Sequence, residues 1–177
     1  LLLLPEIALT TQIVSRLKKV FGSLMGVYHS KYSDNERVEV WNGILTGRFS
    51  FVVGVRSSIF LPFDSLGLII IDEEHESSYK QFDPAPRFQA RDAAIMLASF
   101  HQSKTLFGSA TPSFASLFNA QQGKYGYVEL THRFGDASIP MYHFSDLGVD
   151  KRKNLLTLDA THMMIERNQE RLHKPHQ

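Results

Sequence analysis

Along the chain the apolar positions alternate between short unbroken runs and helical spacing. Residues 1–4 are all leucine and too few for a helix, which suits a strand buried on both faces. From Leu9 to Phe21 the residues Leu9, Ile13, Leu17 and Val20 recur at helical spacing, and Gly22 follows as a left-handed stop. Residues 25–28 read as a second strand. Ser33-Asp34-Asn35-Glu36 is a capping box. Its helix is expected to carry Val38, Trp41 and Leu45 inward and to end at Gly47. Residues 49–53 form a third strand, closed by Gly54. The clearest strand is 66–71, broken only by Gly67, and it runs straight into Asp72-Glu73-Glu74-His75. A loop over 79–87 follows, where Pro84 and Pro86 exclude helix. Residues 91–100 form a helix through Ala94, Ile95, Leu97 and Ala98, and 105–107 form a strand. Gly108-Ser109-Ala110-Thr111-Pro112 then turns into a helix that ends before Gly123, and 125–130 read as a further strand.

This alternation is the signature of an α/β fold, a mostly parallel sheet with helices on both faces. It occupies residues 1–130. Residues 131–153, with Asp150-Lys151-Arg152-Lys153, read as a linker, and 154–177 as the start of a following region, one helix over 155–172. The chain opens without an initiator Met or a basic leader and closes on polar residues, which reads as a piece of a longer protein. Composition narrows the classes. Lys plus Arg is 19 and Asp plus Glu is 18, so the formal charge is 19 − 18 = +1. With 43% apolar and 21% charged residues, wholesale disorder and collagen are excluded. So is a uniformly basic surface, and a case for nucleic acid rests on local motifs. There is no cysteine, which excludes disulfides, thiolate zinc sites and cysteine nucleophiles and fits a reducing compartment. No apolar run approaches the roughly 20 residues of a membrane span.

In an open parallel sheet, function gathers at the carboxyl ends of the strands. Four polar clusters follow predicted strands there: Glu6 to Thr10, Arg56-Ser57-Ser58, Asp72 to His75, and Ser109 to Thr111. Three adjacent carboxylates at the end of a buried strand repel one another, and a divalent cation offsets that repulsion. Mg²⁺ prefers one or two carboxylates with waters and phosphates. Asp72 suits the metal shell and Glu73 suits orienting a water at a terminal phosphate, with His75 placed to hydrogen-bond across the site. The plainer alternative is an acidic loop capping the segment that follows. Thr111 with Pro112 likewise reads either as a helix cap or as a hydroxyl turn beside the carboxylates. Tyr79, Lys80, Phe82, Arg87 and Phe88 interleave aromatics with cations, as single-strand binders do; the alternative is a loop tucked into its own domain. Arg56 and Ser57 suit a phosphate backbone or a strand-to-helix cap. The eight histidines have no metal-ligand spacing, and Trp41 reads as helix core.

The ordered set Pro5-Glu6-Ile7-Ala8-Leu9-Thr10, Gly54-Val55-Arg56-Ser57, Asp72-Glu73-Glu74-His75 and Gly108-Ser109-Ala110-Thr111-Pro112 resembles successive motifs of the superfamily-two helicases. His29-Ser30, Ser33 to Arg37, Arg56 to Phe60, Asp72 to Gln81 and Arg87 to Asp92 narrow the likeness to the DNA helicases of bacterial replication restart, which assemble the primosome. The resemblance covers residues 1–146. It implies a RecA-like, P-loop NTPase-type first motor lobe, ATP and Mg²⁺ as cofactors, and 3′-to-5′ translocation on DNA. It assigns Mg²⁺ binding through water to Asp72 and water activation to Glu73. His75, Ser109 and Thr111 take the coupling of ATP state to DNA. Thr10, Arg56, Ser57, Tyr79, Lys80, Phe82, Arg87 and Phe88 become DNA contacts. It implies forked and single-stranded DNA, other restart proteins and the single-stranded-DNA-binding protein as partners, in the bacterial cytoplasm and without a membrane. Two departures stand out. No Gly-x-x-x-x-Gly-Lys-Ser/Thr loop occurs, so the lobe reads as truncated before its phosphate-loop strand. The family's zinc-binding cysteines and second lobe are also absent. The 177 residues alone are therefore expected to be marginally stable and without ATP turnover. Two other readings stay open: a non-motor single-stranded-DNA-binding module, and a metal-dependent hydrolase using Asp72, Glu73 and His75 without ATP.

Overall fold

The computed structural model describes residues 1–131 except Ile7, Ser30 and Lys31. Five strands form one parallel sheet: β1 (Leu2–Leu3), β2 (Met25–Tyr28), β3 (Phe51–Gly54), β4 (Leu68–Ile71) and β5 (Lys104–Phe107), in the order β2-β3-β1-β4-β5. Between and after them run α1 (Thr11–Phe21), α2 (Asp34–Leu45), α3 (Ala90–His101) and α4 (Phe114–Gln121). The arrangement is that of a RecA-like α/β lobe. Leu1–Tyr127 make one compact unit. The expected linker and terminal helix lie, Thr131 aside, outside the described residues.

The alternating pleat sorts the strand side chains into two cores. Leu1, Leu3, Val52, Ile69 and Ile71 face α2 and α3 through Val40, Ile44, Ala90, Ala94 and Ala98. Leu4, Met25, Val27 and Val53 face α1 through Ile13, Val14 and Leu17. The faces follow from chain direction. The crossover from β1 to β2 runs one way along the sheet, and those from β2 to β3 and from β4 to β5 run the other, so right-handed crossovers put α1 on one side and α2 with α3 on the other. Each fully buried aliphatic side chain contributes about 1.5–3 kcal/mol, and Leu3, Val53, Ile69 and Ile71 are all fully buried.

Caps define the ends as the residue types dictate. Thr10 caps α1 by accepting from the Ile13 N–H. Ser33 and Glu36 complete the capping box of α2. Gly22 and Gly47 take positive φ where the helices stop.

Three expectations are corrected. The buried face of α2 is Val40, Gly43 and Ile44, while Val38, Trp41 and Leu45 are exposed. Apolar residues lie on both sides of this helix, so periodicity alone selects no face. Gly43 decides it: a Cβ there would lie 2.3 Å from the Phe49 ring, so only the bare backbone fits against that side chain. Second, α4 is capped by Ser113 and not by Thr111. Third, residues 125–130 are not a strand. Tyr127, Val128 and Leu130 are exposed, and the segment has no neighbouring strand to pair with among the described residues.

Gly54 ends β3 where the chain turns toward Arg56. A Cβ there would stand 2.7 Å from the Tyr28 carbonyl oxygen and 1.9 Å from Ser58 Oγ. Gly54→Ala is therefore expected to cost about 1–3 kcal/mol by overpacking, read as a lower urea midpoint of the whole protein. An unchanged midpoint would contradict this close approach.

Candidate functional site

Chain connections diverge between β1 and β4, one leading toward β2 and the other toward β5, and a crevice at such a switch point is where an open α/β sheet binds ligands. The acidic segment emerges there. The Asp72 N–H donates to the Leu3 carbonyl at 3.1 Å, which ties the end of β4 to the end of β1. Asp72 Oδ1 accepts from the Glu73 N–H at 3.1 Å. Gly108, just past β5, comes so near that an added Cβ would be 3.4 Å from Asp72 Oδ1.

Glu73 has φ +49°, a left-handed conformation that costs a non-glycine residue about 1–3 kcal/mol. The turn separates the three carboxylates. Glu73 is half-exposed, its Oε2 3.5 Å from His75 Nδ1. Glu74 is 2% exposed and bound elsewhere, so the repulsion among three adjacent carboxylates is relieved by sending one of them into the interior. Glu74 Oε1 accepts from the Ser113 N–H at 2.6 Å, and its Oε2 accepts from Ser113 Oγ at 3.1 Å and from Arg91. Arg91 also donates to Ser113 Oγ at 2.7 Å. Burial alone would raise the Glu74 pKa. The Ser113 amide and the Arg91 guanidinium outweigh it and hold the carboxyl below its ordinary value.

His75 joins the β4 and β5 loops. Its Nδ1 lies 2.7 Å from Ser109 Oγ and its Nε2 3.3 Å from Thr111 Oγ1. Ser109 Oγ accepts from the Thr111 N–H at 3.1 Å. The structure thus brings Asp72, Glu73, His75, Ser109 and Thr111 to one edge of the sheet. It fits a hard cation in one way. Among the described residues no three His, Cys, Asp or Glu side chains converge as a metal cage. A lone Asp72 matches Mg²⁺, which takes few carboxylates and completes its shell with waters and phosphates. A thiolate zinc site does not fit a chain with no cysteine.

The predicted DNA contacts divide. Tyr79 is not on an exposed loop: it is 1% exposed, at the end of a 3₁₀ turn, Ser77–Tyr79. Its hydroxyl donates to the carbonyls of Asp72 at 2.6 Å and Leu3 at 3.1 Å. Burial, then the charges of Asp72, Glu73 and Glu76, push its pKa up. It therefore offers no face for base stacking. Arg56 donates to the Ser78 carbonyl at 2.9 Å, and Ser57 is half-buried in the turn Arg56–Phe60. Thr10 is exposed at its cap.

Beyond Tyr79 the chain makes an exposed excursion closed at its base. Lys80 bridges Gln89, the Gln81 N–H donates to the Phe88 carbonyl at 2.8 Å, and Gln81 Nε2 donates to the Pro84 and Pro86 carbonyls at 2.9 and 3.1 Å. Lys80, Phe82 and Arg87 are exposed. Phe88 is half-buried and meets Phe60 edge to face at 4.8 Å. Sequence reasoning missed Phe60 as part of this surface, and it missed Arg91 and Ser113 altogether. A buried acid needs partners, but nothing in the sequence shows which of the three carboxylates is buried.

Residues 1–119 match the DEAD/DEAH box helicase family, and the chain belongs to that family, which implies nucleotide and Mg²⁺ binding. Among its relatives is the replication restart protein PriA of Bacillus subtilis (strain 168), 42% identical over 164 residues, covering 93% of this chain and 20% of that protein. PriA of Haemophilus influenzae is 41% identical over all 177 residues, 24% of its length. PriA of Chlamydia muridarum is 46% identical over 140 residues, 79% of this chain and 18% of that protein. The chain spans about a fifth to a quarter of these relatives.

The lowered Glu74 pKa fixes a sign. Its contribution to stability is full above the ordinary glutamate pKa of about 4.3 and is lost as pH falls through the lower folded value. Urea unfolding between about pH 3 and 7 should therefore show stability falling with acid more steeply in the native protein than in Glu74→Gln. Parallel pH profiles would refute the assignment.

Proposed function

We propose that this chain is part of the first motor lobe of an ATP-dependent DNA helicase of replication restart, one that moves 3′ to 5′ along DNA. The observation that carries the reading is the acid pair at the end of β4, joined through His75 to the hydroxyls of Ser109 and Thr111. Phosphoryl transfer asks a protein mainly for positioning and charge stabilisation. Bound Mg·ATP supplies the transferable phosphoryl group and the neutralising charge. Asp72 would hold the cation through water. Glu73, half-exposed beside it, accepts a hydrogen bond from the attacking water and orients it. His75 carries changes at the acids to the β5 loop. The cradle for the phosphates is not among these 177 residues, which contain no phosphate-loop sequence.

For DNA, Phe82 and Phe88 offer ring faces to unpaired bases, and Lys80 and Arg87 offer charge to phosphates. Arg56, Ser57 and Thr10 line the polar turns after β3 and β1 and serve the backbone. The relatives' printed name, replication restart protein, supports a role of the whole protein in replication restart. The motif resemblance adds forked DNA, other restart proteins and the single-stranded-DNA-binding protein as its proposed partners, in the bacterial cytoplasm.

In the whole protein, Glu73→Gln should lower DNA-stimulated ATP hydrolysis by about 10²-fold or more with nucleotide binding retained. Wild-type turnover in that variant would sink the assignment. Phe82→Ala should weaken single-strand binding by about 1–3 kcal/mol, measured by fluorescence anisotropy. Unchanged affinity would remove the loop from the DNA path. Binding indifferent to nucleotide would favour the non-motor module.

A further inference from the structure

We infer that Arg91 is a positioning residue for Glu73, acting through the buried Glu74 carboxylate and never touching the nucleotide itself. The inference rests on the role proposed for Glu73. A glutamate at φ +49° stays there only if its surroundings hold it. Two of the restraints are local. Asp72 Oδ1 takes the Glu73 N–H, and the Glu76 N–H donates to the Glu73 carbonyl at 2.9 Å. Both belong to the turn itself and would travel with it.

From outside the turn, Leu3 and Tyr79 hold the Asp72 side, and the restraint on the other side begins one residue on from Glu73. The Glu74 N–H donates to the Gly108 carbonyl at 3.0 Å, and the Glu74 side chain reaches Arg91 on α3 and Ser113 at the start of α4. The two ionic side chains are 16% and 2% exposed, so the pair is largely removed from solvent. Breaking such a pair by removing one partner leaves a buried charge and is strongly unfavourable. Arg91 stands on a firm base, because Ala90, Ala94 and Ala98 of the same helix are buried in the core. Nitrogen Nη1 of Arg91 serves both Glu74 and Ser113. The next residue back along the chain from Glu74 is Glu73, so the ion pair sets the backbone path from which the water-orienting carboxylate projects.

A merely structural pair would hold α4 in place and nothing more. The whole protein separates the two readings with Arg91→Met, and with Glu74→Gln combined with Arg91→Met, which removes the orphaned charge. The double variant should melt within about 3 °C of the native protein. The Glu76 amide should nevertheless exchange its hydrogen about tenfold faster or more, and kcat for DNA-stimulated ATP hydrolysis should fall by about tenfold while KM for ATP changes less than about twofold. Native exchange and native kcat in the double variant would overturn the inference. If the double variant does not fold, Arg91→Lys is read by the same two measurements. It should show smaller changes in the same direction, and no change overturns the inference. If the native protein turns over no ATP, the role of Glu73 fails by itself, and exchange at Glu76 still decides whether Arg91 sets the turn.

Discussion

The carbonyl of Leu3 accepts two hydrogen bonds, one from the Asp72 N–H and one from the Tyr79 hydroxyl, and the site is built around it. β1 is only two residues long, yet it pairs with β3 on one side and β4 on the other. A buried carbonyl there must be satisfied. The way it is satisfied fixes where β4 stops, where the acids emerge and where the chain turns back. Tyr79 spans Leu3 and Asp72 with a single hydroxyl, so the terminus of one strand is registered against its neighbour by a side chain as well as by the ladder.

Charge is distributed across the same few residues by conformation. Three consecutive carboxylates in one environment would repel each other at short range. The left-handed residue between them sends the third into the interior, where a guanidinium and a helix-capping serine receive it. Asp72 and Glu73 remain at the carboxyl end of β4, the first exposed and the second half-exposed. One backbone torsion thus separates a stability element from chemical groups that are adjacent in sequence.

Much of this was legible beforehand. The unbroken apolar runs, the capping box and the glycine stops marked the strands and helices to within a few residues, because those signals are local. The polar clusters at the strand ends were legible for the same reason. Apart from the cap of α4, which lies two residues beyond Thr111 at Ser113, the failures are tertiary. The face of α2 depends on how close Phe49 comes to Gly43, a distance no spacing encodes. The burial of Tyr79 depends on two carbonyls, Leu3 and Asp72, brought together by sheet pairing. The fate of Glu74 depends on residues 17 and 39 positions away. The run at 125–130 looked like a strand because its aromatic and aliphatic residues favour one, and composition says nothing about whether a neighbour exists to pair with.

The excursion from Lys80 to Gln89 is clipped shut at its base by Gln81 and Phe88. Just outside that clip, Tyr79 and Arg91 hold the two flanks of the acidic turn. The tip, residues 82–87, is thereby set apart from the acidic turn. A longer, shorter or less aromatic tip would therefore leave the acids standing where they are, because the hydrogen bonds that place them all close outside it.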